Sequence, residues 1–271
     1  MAISMEFLSQ FPWSNNPTPP PTFNLFLSIT NPRFLFLNKV NKSQPLCHCS
    51  SISSSHQQQL QEPMAQEDDD DEGEGQFGNL VEGYGWQVRK MVEKDDEMRS
   101  VANIQAQAFH QPLFLFNDVF FQFFQAEVLA GLLYRLRNSP PDRYACLVAE
   151  TSTIDDQKKQ LVGVVDVTVF RDESVLKHLS EANEYLYVSG IAVLHDFRRK
   201  KVASVLLKAC ETLALLWGYK YLVLRAYEDD LGARKLYTNA GYTIVSGDPV
   251  WTTSWIGRRR RILMLKQCDM T

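Results

Sequence analysis

Acid is almost absent from the first sixty residues: Glu6 stands alone before Glu62. Ser, Pro and Asn are abundant there, and the cations Arg33, Lys39 and Lys42 are scattered among Phe and Leu. A hydroxyl-rich, weakly basic, acid-poor start has the composition of an organelle-targeting peptide, and few Arg beside many Ser and Pro favour a plastid over a mitochondrion. The competing reading is a disordered tail. In both cases residues 1–65 are set apart from the fold. Cysteine is scarce as well. The five present, Cys47, Cys49, Cys146, Cys210 and Cys268, are too few and too irregular for a disulfide framework and are expected as reduced thiols. Cys47-His48-Cys49 offers half of a zinc site with no second pair to complete it, so no metal is expected. No run reaches the roughly 18 to 20 apolar residues of a membrane span. The nearest, residues 23–37, is broken by Asn24, Asn31, Pro32 and Arg33, and no membrane span is expected. A net charge of −4, from 28 Lys+Arg against 32 Asp+Glu, lacks the basic excess of a nucleic-acid binder.

What is present is ample core material, with 45% hydrophobic residues in a chain of 271. The block Glu67-Asp68-Asp69-Asp70-Asp71-Glu72 repels itself, and Gly73, Gly75 and Gly78 follow it, so residues 66–83 read as a linker. The folded domain is expected over residues 84–268. Residues 86–92 read as a strand, and 95–109 and 117–137 as helices. Phe120, Phe121, Phe123, Phe124, Val128 and Leu132 give the second helix a broad apolar face, either core or substrate wall. Residues 144–149 and the β-branched stretch 161–170 read as a hairpin. A loop or short helix follows near 174–183. Then come a strand at 185–193, a helix at 200–217, a strand at 221–226, a helix at 231–240, and strands at 242–245 and 260–265. Such an order describes one α+β domain with a mixed sheet of about seven strands and flanking helices.

Two clusters carry chemistry. Strand 185–193 runs into a turn with four consecutive cations, Arg198, Arg199, Lys200 and Lys201, where an apolar-periodic helix starts. Helix N-termini carry partial positive charge and spare N–H groups, so cations there are unfavourable and anions welcome. The run makes sense if a pyrophosphate occupies the turn; the competing reading is a surface basic cluster or a nucleic-acid patch. The second cluster is the helix after Asp230, with Asp229 or Asp230 as N-cap and Gly241 past its end. Ala233 and Tyr237, four residues apart, share one face, where a tyrosine is most often simple packing.

Together, in this order, the clusters resemble the GNAT superfamily of acyl-CoA N-acyltransferases. Arg198, Lys201 and Ala203 match its Arg/Gln-x-x-Gly-x-Gly/Ala pyrophosphate motif, with Lys201 where glycine is usual. Asp230, Ala233, Tyr237, Gly241 and Tyr242 match Asn-x-x-Ala-x-x-x-Tyr followed by Gly-Phe/Tyr, with Asp for Asn. The resemblance covers residues 86–266 and implies a GNAT fold and acetyl-CoA as co-substrate. By that resemblance Ile191, Ala192 and Val193 pair with pantetheine through their backbone, and the strand splays from its neighbour. Arg198, Arg199, Lys200, Lys201, Val202, Ala203 and Ser204 wrap the pyrophosphate, and Asp230, Leu231 and Gly232 line the cofactor. Tyr237 is expected as the general acid that protonates the leaving thiolate, since a phenol near pKa ~10 stays protonated where a thiol near ~8.5 does not.

Glu184 is the candidate base, against the reading of a solvated strand-end carboxylate, and Asp166 is an alternative. His178 and His195 read as loop residues. The run Arg258 to Arg261 either holds an acidic acceptor or another protein, or is a solvated hairpin flank, as such runs more often are. The resemblance extends to plastidial enzymes that acetylate lysines and protein N-termini, which implies protein or peptide amine acceptors. A small-amine acetyltransferase and a non-catalytic acetyl-CoA-binding module stay open as alternatives. The sequence assigns no oligomeric state.

Overall fold

The computed structural model describes residues 78–110, 117–152, 160–249 and 259–268. Strands β1 (Val81–Gly83) and β2 (Trp86–Lys90) are joined through Tyr84 and Gly85, both at positive φ (55° and 79°), the two-residue hairpin turn that suits strand twist. Helices α1 (Asp95–Phe109) and α2 (Asn117–Asn138) follow, then the hairpin β3 (Tyr144–Thr151) and β4 (Leu161–Phe170). A single turn of helix, α3 (Glu173–Leu176), leads to β5 (Tyr185–Val193). Helix α4 (Val202–Leu216), strand β6 (Tyr221–Tyr227), helix α5 (Leu231–Asn239) and strands β7 (Thr243–Gly247) and β8 (Arg261–Gln267) complete the order. The sheet has eight strands, not about seven, in the order β1-β2-β3-β4-β5-β6-β8-β7. The additional strand, β1, lies inside the stretch expected as linker: Val81–Gly83 pairs with Trp86–Val88 across that turn.

Period-two alternation sorts the side chains to two faces. Leu147, Val165, Leu186, Val188, Leu222 and Leu224 face α4, whose Val205, Leu206 and Leu213 fill the same cluster. Cys146, Val148 and Val164 face the other way, toward Val101 and Ile104 of α1 and Leu132 of α2. Farther along that second face, Tyr185, Tyr187, Val223 and Leu263 pack with Val175 and Leu179. Helix α2 is long and apolar enough to cross a membrane by length and composition, with mean hydropathy 1.2 over Asp118–Asn138. The sequence reading, which looked to residues 23–37, passed over it. Phe124 and Val128 are buried against Ala102 and Ala106 of α1, while Val119, Phe120, Phe123 and Tyr134 are exposed.

A polar network sits inside the second face. Asp166, fully buried on β4, accepts from the Tyr144 hydroxyl at 2.6 Å and from Gln105 Nε2 at 2.7 Å, with Arg135 Nη2 3.5 Å away. Burial pushes the Tyr144 hydroxyl well above its ordinary range, and the Asp166 charge adds to this. Burial would depress Arg135, but the carboxylate beside it more than offsets that and raises it. Asp166 is therefore sealed beneath the sheet as a structural anion, which removes it as an alternative base. Removing one partner of a buried ion pair strands the other, at a cost of about 3–5 kcal/mol. Asp166→Ala is expected to lose stability of that order in urea denaturation, and a loss below about 1 kcal/mol would show the network to be dispensable.

Candidate active site

The network lies directly under a break in the sheet. Between Val164 and Asp166, β4 advances two residues while β5 advances three, from Ser189 to Ala192. The extra residue is a β-bulge, which bends a strand and increases its twist. Gly190 takes φ +62° there, and a Cβ on it would stand 2.9 Å from Asp166 Oδ2 and 3.2 Å from Gln105 Nε2. Parallel pairing of β5 with β6 is limited to Leu186↔Leu222 and Tyr187↔Val223. Past Tyr187 the two strands diverge into a fork. Ile191, Ala192 and Val193 lie on its β5 arm: Ala192 and Val193 pair with Val164 and Gly163 of β4, and none of the three pairs with β6.

The β5 arm delivers the chain into the cationic turn. His195–Phe197 forms a 3₁₀ turn, Arg198 is extended, and Arg199 and Lys201 both adopt left-handed backbones at φ 64° and 70°. Successive turns of this kind point N–H groups into a concavity suited to anions. Lys201, which stands where the family motif has glycine, thus takes a conformation that glycine takes freely. It is the N-cap of α4 yet makes no side-chain cap. The N–H groups of Val202 and Ala203 have no partner among the described residues. Ala203 and Ser204 are partly exposed and Val202 is buried. The turn is tethered from outside: Trp86 Nε1 donates to the Lys200 carbonyl at 2.8 Å, Phe197 sets its edge against the Trp86 ring at 5.8 Å, and Arg198 Nε donates to the Val193 carbonyl at 3.1 Å. Arg198, Arg199, Lys200 and Lys201 are exposed, and among the described residues none pairs with a carboxylate.

The other basic run behaves in the opposite way. Arg259 pairs with Asp229, Arg260 with Glu228, and Arg261 with Asp248. The first two pairs join the turn after β6 to the start of β8 and the third joins the end of β7 to it, so the hairpin-flank reading, with ion pairs in place of solvent, fits them. Arg258 lies outside the described residues.

Helix α5 lies beside the fork. Asp230 caps it, accepting from the Ala233 N–H at 2.9 Å, whereas Asp229 turns to Arg259. Leu231 and Gly232 are exposed in its first turn. The Tyr237 ring packs edge-on to Tyr242 with centroids 6.2 Å apart. Burial pushes the Tyr237 hydroxyl well above the ordinary tyrosine value, and the charge of Asp230 adds to the shift. That hydroxyl makes no hydrogen bond among the described residues. Glu184 does not join this group. It precedes β5 on the closed side of the fork, about 10 Å along the strand before Tyr187 and about 20 Å before Gly190. Its carboxylate is held by both guanidinium nitrogens of Arg143. Glu184 is thus an anchor at the entrance of β5, and its expected role as base is corrected on position. The sequence reading missed Tyr187, at the vertex, and Arg225, on the β6 arm. A charged residue within an otherwise apolar strand was the signal for the second.

Against this geometry, comparison with known proteins is direct. Residues 100–242 match the Acetyltransferase (GNAT) family. GCN5-related N-acetyltransferase 10, chloroplastic, of Arabidopsis thaliana is 59% identical over 191 residues, covering 69% of this chain and 75% of that protein. GCN5-related N-acetyltransferase 4, chloroplastic, of the same plant is 43% identical over 56 residues, 21% of this chain and 19% of the relative. Among solved structures, a yellow fever mosquito protein assigned as arylalkylamine N-acetyltransferase 7 superposes with TM-score 0.51 at 14% identity, over 68% of this chain and 88% of its own, and supports the fold alone. The chain belongs to the GNAT family. It is an acyltransferase of the N-acetyltransferase kind, with the GNAT fold.

A left-handed backbone costs a non-glycine residue about 1–2 kcal/mol, partly offset by the extra chain entropy that glycine loses on folding. Lys201→Gly is therefore expected to stabilise the domain by about 0.5–1 kcal/mol in chemical denaturation. Destabilisation would show that the left-handed turn carries no strain.

Proposed function

We propose that this protein transfers the acetyl group of acetyl-CoA to protein or peptide amines, with α-amines favoured over lysine side chains. The carrying observation is the cationic turn, left-handed at Arg199 and Lys201 and paired with no carboxylate among the described residues, at a helix N-terminus without a side-chain cap that follows the β5 arm of the fork. Its residues suit a diphosphate: spare N–H groups at Val202 and Ala203 meet the oxygens, and four cations face the charge. The unpaired edge of Ile191, Ala192 and Val193 offers backbone groups to the amides of pantetheine. Asp230 shapes the start of α5, whose Leu231 and Gly232 line the same ligand. Bound acetyl-CoA supplies the thioester.

Tyr237 holds a proton on a hydroxyl that makes no hydrogen bond among the described residues, and gives it to the departing thiolate. No free carboxylate among the described residues lines the fork, since Glu184 is beyond its closed end and Asp248 is ion-paired. An α-amine near pKa ~7.7–8.0 already has a large neutral fraction at mildly alkaline pH, whereas a lysine near ~10.4 does not. This favours N-termini as acceptors. A peptide library incubated with the purified domain and acetyl-CoA should show acetyl mainly on α-amines by mass spectrometry; equal or greater lysine labelling would reverse that preference.

Tyr237→Phe is expected to lower kcat about 100-fold while acetyl-CoA affinity stays within about twofold. Because burial raises its pKa, the Tyr237 phenol remains protonated through the ordinary tyrosine range. No alkaline fall in kcat is therefore expected below about pH 10. Full activity of Tyr237→Phe at every pH would remove it as the acid.

We further propose residues 1–65 as a plastid transit peptide, followed by a link to a catalytic domain that includes β1 and runs to residue 268, a reading supported by the leader composition and by the chloroplastic relative. Import into isolated chloroplasts should yield a shortened product protected from added protease, and a chain left outside at full length would refute the assignment.

A further inference from the structure

Three polar side chains that make no hydrogen bond among the described residues, Arg225, Tyr187 and Ser189, gather on the side of the fork away from α4. On β6, Leu222 and Leu224 face α4, so Val223 and Arg225 face the opposite side with Tyr187 and Leu263. Arg225 lies two residues past Val223, the last β6 residue paired with β5, which carries its Cα about 7 Å into the fork. Its side chain is 26% exposed, and its guanidinium donates no hydrogen bond among the described residues. Asp248 approaches it at a loose 3.5 Å, and that carboxylate is already engaged by Arg261 Nε at 3.1 Å. Two guanidiniums share one carboxylate, which leaves one surplus positive charge facing the fork.

Two hydroxyls lie beside it. The Tyr187 hydroxyl makes no hydrogen bond among the described residues, and it lies within the field of both arginines: burial raises its pKa and their charges pull it back. Ser189, two residues on along the same face, has a buried Oγ with no partner. A buried polar group left unpaired, as Ser189 Oγ is here, costs about 1–3 kcal/mol, and with the Tyr187 hydroxyl and the loosely held Arg225 beside it the arrangement suits a ligand that brings oxygen atoms. A planar guanidinium with free donors matches a carboxylate, and one surplus charge matches a monoanion. The same surplus disfavours a second cation near the reacting amine.

We propose that Arg225, supported by Arg261, is a specificity-determining subsite for a carboxylate carried by the acceptor beside its amine: an acidic side chain at the first or second residue of a peptide N-terminus. This rests on the reading of the fork as an acetyl-transfer site for peptide amines. The test compares acetylation of peptide pairs that differ only by Asp or Glu against Asn or Gln at those positions. The wild-type domain should favour the acidic peptide by about tenfold or more in kcat/KM, the ratio that one such interaction supplies. Arg225→Gln should bring the ratio near one. Asp248→Asn, which releases both guanidiniums, should raise it, and this arm decides the matter if Arg225→Gln fails to fold. A wild-type ratio near one, a ratio kept by Arg225→Gln, or a ratio lowered by Asp248→Asn overturns the subsite while leaving peptide acetylation standing. Absence of acetyl transfer to every peptide overturns both.

Discussion

Gly190 is constrained twice over, by a positive φ and by the Asp166 carboxylate beneath it, and the site depends on that constraint. A side chain there would displace either the bulge or the buried anion. The bulge inserts one residue into β5 without a counterpart on β4, which turns the strand away from β6 after two pairs. Without the fork, Ile191, Ala192 and Val193 would pair with β6 as an ordinary parallel ladder and offer nothing to a ligand. Asp166, Tyr144, Gln105 and Arg135 thus act as a foundation. They hold charge in a place where neutral side chains would pack more cheaply, and they define the floor on which the strand changes direction.

Much of the architecture was legible from local pattern. Residues 161–170 and 185–193 are strands, and 95–109 a helix, at the limits the sequence suggested, because β-branched density and apolar periodicity act within a single element. Register between strands is not local, and there the reading thinned. Val81–Gly83 carries no strand signature of its own and becomes β1 through the hairpin turn at Tyr84 and Gly85. Glu184 looked suitable because it begins the strand that carries the site. Sequence does not show which end of β5 is closed by Leu222 and Val223, so a carboxylate on the wrong side of two ladder pairs read as a base. Arg225 was passed over for a related reason, since its meaning depends on which face of β6 opens onto the fork.

The two basic runs show how charge becomes interpretable only with its partners. In composition, residues 198–201 and 258–261 are nearly alike. Arg259 and Arg260 each meet an acid in the turn after β6 and hold it to β8, while Arg261 shares Asp248, at the end of β7, with Arg225. Exposed pairs of this sort stabilise little individually, but the two at Glu228 and Asp229 act side by side on the turn that leads into Asp230 and α5, the helix that carries Tyr237.

The cationic turn has the reverse logic. Four like charges crowd a helix N-terminus whose own dipole repels them, and two of the residues hold left-handed backbones at about 1–2 kcal/mol each. No carboxylate among the described residues relieves them. The fold tolerates the arrangement because Trp86 and Phe197 clamp the turn from outside, through the Lys200 carbonyl and an edge-to-face ring contact. A turn both strained and held is preorganised: the N–H groups already point where oxygens are needed, and little further ordering opposes binding. An anion entering the turn relieves the repulsion and satisfies the N–H groups in one event. On the proposed function, the energy set against the free protein at this corner is recovered when the diphosphate of acetyl-CoA binds, and the corner holds that phosphate handle while the fork, a strand's length away, is left to the reacting atoms.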